Sequence, residues 1–172
     1  NSIWLWSPGK PLSLPSFKDK FGLQATAISA VDLIKGIGIC ADMETVDVEG
    51  ATGTVNTNYK GKADAAINAF KSGSDLVYLH FEGPDEHGHR GEADVKTKSI
   101  ELIDELALSP ILDSLENCGE DFGIMVLPDH PTPLRIRTHS ADPVPYVLYD
   151  STLQRKTMKR YSEAEAAASG IF

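Results

Sequence analysis

The chain has five histidines, His80, His87, His89, His130 and His139, and four of them fall in segments that also hold carboxylates. Asp85 and His89 stand four apart in PDEHGH. On a helical turn starting at Asp85, both side chains share one face and can hold one ion. Asp129 and His130 are adjacent in PDH, and His139 follows in RTHS. Adjacent residues point to opposite faces inside a strand, but a turn there can aim both at one ion. Carboxylate oxygen with imidazole nitrogen suits zinc, manganese, iron or cobalt rather than calcium. These five candidate ligands exceed one closed tetrahedral shell, so they divide into two sites. Two nearby divalent ions can clamp the attacking and leaving oxygens of an in-line displacement at phosphorus.

Each cluster alone is weak. An isolated Asp-x-x-x-His is most often a surface turn, and a lone Asp-His pair says less still. His80 sits inside an apolar run and reads as a satisfied core histidine, while His87 reads as exposed. What lifts the clusters is convergence, because three of them fall at the same expected sheet edge.

That edge follows from the order of elements. Strand-like stretches occur at 24–30, 45–48, 75–81, 122–127 and 144–149, with a short apolar piece at 2–6. Helical patterns cover 31–40, 59–71, 92–108 and 162–168, and Ala63, Ala66, Ile67 and Phe70 share one face of the second. Ser109 and Pro110 read as an N-cap and first helical position, which predicts a kink or fresh helix ending near Gly119. The runs at 75–81 and 122–127 lack alternation, which predicts burial on both faces in mid-sheet. The alternation of strands and helices predicts an α/β fold with a largely parallel sheet flanked by helices. In such sheets ligands bind outside the carboxyl ends of the strands, where both dense runs deliver polar clusters.

Composition narrows the function classes. With 172 residues and 41% hydrophobic content, one domain with a real core is expected. The net charge of -9 argues against nucleic acid as a partner. Lys156, Lys159 and Arg160 form the one local basic cluster and read as a solvated helix face. Cys40 and Cys118 lack CxxC spacing, which suits a reduced, cytoplasmic compartment. No apolar run approaches the ~18–20 residues needed to span a bilayer, so no membrane partner is expected. The chain begins with Asn1 rather than Met, which reads as a sequence processed, trimmed or excised from something longer. Gly36-Ile37-Gly38 does not follow the strand–turn pattern of a dinucleotide fingerprint, and neither a Walker A loop nor a GxSxG elbow occurs. Ser99, Ser109 and Ser114 sit in helical context, with no mark of an activated nucleophile.

GPDEHGHRGE, LPDHPTP and RTHSADPVP, in that order, resemble the cofactor-independent phosphoglycerate mutases of archaeal type, within the alkaline phosphatase superfamily. The resemblance extends upstream through SIWLWSPGKP, SAVDLIKGIG and GATGTVNTNYKGKA, and downstream to SEAEAAASG. It therefore covers nearly the whole chain. It implies that residues 1–172 are the C-terminal portion of an alkaline-phosphatase-like metal-binding domain. It also implies two divalent metal ions, manganese first, with magnesium, cobalt or zinc as alternatives, and no requirement for 2,3-bisphosphoglycerate. Asp85, His89 and His139 would bind one metal, and Asp129 and His130 the other. The substrate would be phosphoglycerate, a small phosphorylated acid, interconverted between its 3- and 2-forms in glycolysis through a serine that carries the phosphoryl group.

That serine, a further aspartate ligand and the inserted substrate domain would all lie upstream of Asn1. No catalytic nucleophile is therefore expected in the chain, and the chain alone is expected to be inactive. His87 and Gly88 stand in a variable spacer with no assigned role, and Glu92 replaces a more usual Asp with an expected effect on helix capping. Arg137, beside the RTH histidine, and Lys35 are candidate cations for substrate phosphate, weighed against surface ion pairs. Trp4 and Trp6 read as packing residues. Two other readings stay open: a different phosphatase or phosphomutase of the same superfamily, and a non-catalytic metal-binding fragment.

Overall fold

Small and β-branched residues build the middle of the sheet. In the computed structural model, which describes residues 13–153 and 160–170, strand β1 (Ala25–Ile28) is buried along its whole length. It pairs in parallel with β2 (Glu44–Val46) on one side and β3 (Leu76–Leu79) on the other. The expected stretch at 2–6, with Trp4 and Trp6, lies outside the described residues, as do Lys156 and Lys159.

The first helices fit this sheet closely. After the short α1 (Phe17–Phe21), α2 (Asp32–Cys40) packs on β1 and β2. A Cβ at Gly38 would stand 3.1 Å from Thr45 Cγ2 and 3.2 Å from Ala27 Cβ. The glycine pair in 36–38 thus includes one residue that allows close helix–sheet approach. Helix α3 (Tyr59–Lys71) starts at Asn58, whose side chain accepts from Gly61 N–H at 2.8 Å. Its Ala63 and Ala66 meet Ile28, Ala107 and Ile111 in the core, with Val77, Leu79 and Phe81 packed around them.

Lys62, also on α3, is fully buried, and its ammonium donates to His80 O at 2.8 Å. It sits 4.6 Å from the Phe81 ring. Burial pushes its pKa down to about 8, against the pull of Glu82.

Three expectations change here. Among the described residues, the dense run at 75–81 does not take the middle of the sheet: β3 borders it, half-buried, with Tyr78 exposed, and β1 takes the centre. Small residues in β1 conceal its burial, whereas bulk in β3 suggests more than it has. The run at 122–127 forms β4 (Gly123–Val126), which pairs antiparallel with β5 (Val147–Asp150) in a separate two-stranded ribbon. Residues 127–146 between them contain no crossover helix, and a parallel pairing would need one.

The third change lies in the long helical stretch. α5 (Ala93–Ile103) continues through a π-helical turn (Asp104–Leu108) into α6 (Ser109–Glu116). A fresh helix does begin at Ser109 with Pro110 in its first turn, as expected, but Ser109 keeps helical backbone and makes no capping bond. Helix α7 (Glu163–Ser169) closes the described chain, capped by Ser162, which accepts from Glu165 N–H. Among the described residues, no helix is long and apolar enough to cross a membrane.

Candidate metal centre

The glycine- and acid-rich stretch after β3 is a full helix, α4 (Gly83–Arg90). Pro84 pre-sets its first turn, Asp85 and Glu86 face the positive end of its dipole, and Gly91 stops it at φ 74°. The helical period then sets Asp85 and His89 on one face, with His89 Nε2 3.3 Å from Asp85 Oδ2. His139 arrives from the connection between β4 and β5. Its Nε2 lies 3.1 Å from His89 Nε2 and 3.4 Å from Asp85 Oδ1.

These separations suit one ion. A metal about 2.0–2.2 Å from each ligand atom sets those atoms about 3.0–3.5 Å apart. The Asp85 carboxylate straddles the two imidazoles, turning one oxygen to each. Ring orientation agrees, since His89 Nδ1 donates to Arg137 O at 3.0 Å and so leaves Nε2 free to ligate. Arg137 adopts φ 54°, a left-handed backbone that is uncommon outside glycine. Side-chain exposures of 22% for Asp85, 36% for His89 and 52% for His139 leave the cluster open to solvent on one side. Among the described residues, this is the one group of three or more His, Cys, Asp or Glu whose ligand atoms all lie within 4.8 Å of one another.

The second expected pair sits alongside. His130 Nε2 is 3.5 Å from Asp129 Oδ2, and the His130 and His139 rings are 3.7 Å apart at their centroids. His130 Nδ1 comes within 4.0 Å of Asp85 Oδ1, so the two ligand sets are neighbours. Thr132 lies between them: its hydroxyl donates to Asp85 Oδ1 and stands 3.3 Å from His130 Nδ1. The acids concentrate negative charge here. Burial first, then Asp85, Glu86 and Asp129, raise the pKa of Glu82, which His130 partly offsets.

Other sequence candidates separate clearly. His87 is buried, not exposed: its Nδ1 bonds Glu92 Oε2 at 2.6 Å, and its Nε2 accepts from Val55 N–H at 3.3 Å. Both ring nitrogens are thus occupied inside the fold. Glu92 accordingly holds His87 rather than capping α5, where it makes no side-chain cap bond. His80 is a satisfied, largely buried histidine between Ser29 Oγ at 3.0 Å and Glu82 Oε2 at 3.4 Å. Burial lowers its pKa, with Lys62 in the same sense and Asp129 and Asp85 opposed. Lys35 is held by Asp47 at 3.0 Å and Asp32 at 3.1 Å, and those hydrogen bonds raise its pKa. Arg137 lies beside the cluster, with its guanidinium against Gly91. Thr132 carried no sequence signal beyond its place two residues after His130.

In this α/β fold, three side chains that could hold one ion meet between the helix after β3 and the β4–β5 connection. The chain belongs to the Metalloenzyme superfamily, which it matches over residues 1–170. It is 48% identical, over 99% of its length, to a 2,3-bisphosphoglycerate-independent phosphoglycerate mutase of Methanothrix thermoacetophila, of which it covers 43%. A solved protein of Pyrococcus horikoshii superposes with a TM-score of 0.81 at 34% identity, over 90% of this chain and 46% of that one. The cofactor-independent phosphoglycerate mutase of Thermoplasma acidophilum shares the fold, with a TM-score of 0.63 at 22% identity, over 92% of this chain and 36% of that one. The chain spans less than half the length of the curated relatives it matches.

Proposed function

We propose that the chain supplies the metal-binding part of a phosphoglycerate mutase that interconverts 3- and 2-phosphoglycerate without 2,3-bisphosphoglycerate. The observation that carries this reading is the meeting of Asp85, His89 Nε2 and His139 Nε2 at metal-ligand separations. It stands in a chain 48% identical to a protein of that name. Asp85, His89 and His139 would hold one divalent ion, and Asp129 with His130 would give two ligands to a second. Manganese is the ion proposed, and the cytoplasm and glycolysis the setting. When bound, such ions supply Lewis acidity and neutralise charge on the phosphoryl oxygens.

The chain's own groups prepare that chemistry. The Arg137 carbonyl fixes the His89 tautomer, and the Thr132 hydroxyl orients Asp85. Arg137, beside the cluster, is the better placed cation for substrate phosphate, because two aspartates already engage Lys35. The serine nucleophile and the remaining ligands would come from a segment outside this chain.

Assay of the whole protein with 3-phosphoglycerate, after chelation and again with manganese restored, tests the proposal. Mutase activity that disappears and returns, with the 172-residue chain inactive alone, is expected. Turnover indifferent to chelation, or phosphatase activity without mutase activity, would contradict it.

A further inference from the structure

Lys96, on α5, holds neither ligand set directly, yet it touches the backbone of both. Its ammonium donates to Pro84 O at 3.0 Å and to Thr132 O at 3.2 Å. Pro84 immediately precedes Asp85 in the first turn of α4, and Thr132 follows His130 by two residues in the β4–β5 connection. One cation therefore bridges the helix that carries Asp85 and His89 and the connection that carries Asp129, His130 and His139.

The surroundings leave little slack. Thr132 is 4% exposed. Its hydroxyl gives its proton to Asp85 Oδ1, and the same oxygen can accept Nδ1–H of His130, which turns His130 Nε2 toward Asp129. Gly88 faces the junction, where a Cβ would stand 2.8 Å from Thr132 O and 2.9 Å from Lys96 Nζ. The connection also bonds to itself, with Arg137 N–H to Pro133 O at 2.9 Å and Ser140 N–H to Pro131 O at 3.1 Å. It can therefore move with Thr132 as a unit.

We propose that Lys96 is a positioning residue for both metal-ligand sets, pinning the β4–β5 connection to α4 so that His130 and His139 meet Asp85 and His89 in register. This rests on the metal-binding reading above. A merely structural lysine would contribute stability without affecting how the ligands meet an ion. Outer partners of metal ligands usually change affinity by about 10–100-fold when removed.

Cobalt titration of the full chain, read by its visible ligand-field bands, separates the cases. Lys96→Met is expected to weaken cobalt binding by about 10–100-fold and to alter the band pattern, with Lys96→Arg recovering part of the loss. Lys98→Met, which removes only a surface pair with Glu101 at 3.3 Å, is expected to bind as wild type. Hydrogen exchange of metal-free protein adds a metal-independent reading, since Arg137 and Ser140 amides should exchange faster in Lys96→Met. Wild-type affinity, bands and exchange in Lys96→Met would overturn the proposal. If the wild type takes up no cobalt, the metal reading fails and exchange alone decides the clamp. Faster exchange would then support it, and unchanged exchange would overturn it. Should Lys96→Met not fold, Lys96→Gln, which is shorter and carries no charge, replaces it in each comparison, and wild-type behaviour there likewise overturns the clamp.

Discussion

Asp85 and His89 come from one helix, whereas Asp129, His130 and His139 come from the irregular connection between β4 and β5. The helical pair needs only the α-helical period to be correctly spaced. The other three depend on long-range ties, from Thr132 to Asp85, from the Arg137 carbonyl to His89, and from Lys96 to two carbonyls. The difference teaches that half of this site is made by local geometry and half by docking. Perturbing the docking should spoil metal binding before it spoils the fold. Perturbing the sheet side should do the reverse.

The largest test of that contrast removes a ligand from the docked half. His139→Ala is expected to lower affinity at the three-ligand centre by more than about a hundredfold, near 3 kcal/mol, with metal-free stability almost unchanged. Asp129→Asn should leave that centre's affinity within about threefold, below 0.7 kcal/mol by the same conversion. Isothermal titration with manganese measures both. Comparable losses in the two variants would merge the sets into one site.

A neighbour on the same helix should behave in the opposite way. His87→Leu strips Val55 N–H of its acceptor and Glu92 of its partner, and is expected to cost about 1–3 kcal/mol in urea unfolding. Metal affinity of the folded variant should remain near wild type, and a large loss would make His87 part of the centre.

Lys62 sharpens the comparison from the sheet side. Its folded pKa of about 8 lies below the unfolded value of 10.5, so the unfolded chain binds more protons between those values. Below pH 8 the lysine is charged in both states and its burial opposes folding. Stability attributable to this group should rise with pH through the window, by about 1 kcal/mol per pH unit. Urea unfolding at pH 8 and 9 should show that rise in the wild type relative to Lys62→Met. A flat difference would contradict it. The smallest effect belongs to the exposed Lys98–Glu101 pair, where Lys98→Ala should change stability by less than about 0.5 kcal/mol in the same experiment.

The sequence made the local features readable. The four-residue step from Asp85 to His89 survives in α4 because a helix converts spacing into facing. The expected clusters do lie together, with Asp85, His89 and His139 within 4.8 Å, but not at the edge of one parallel sheet, because β4 belongs to a separate ribbon. Contacts across long separations were not readable. Thr132 reaches Asp85 over 47 residues and Lys96 reaches Thr132 over 36, and neither pair has a spacing that announces it. His87 looked exposed because its acidic, glycine-rich neighbours are polar, yet Val55 from a distant loop closes over it. The apolar run 122–127 misleads on burial as well as direction, since β4 alternates exposed and half-buried residues, with Met125 and Leu127 exposed, and pairs antiparallel. Likewise Ala25–Ile28 hid the centre of the sheet behind small side chains.

The most direct measurement is an anomalous difference map from crystals of the chain grown with cobalt. A peak about 2.1 Å from His89 Nε2, His139 Nε2 and an Asp85 oxygen is predicted. No peak there, or one held by other side chains while these three stay empty, would contradict the account.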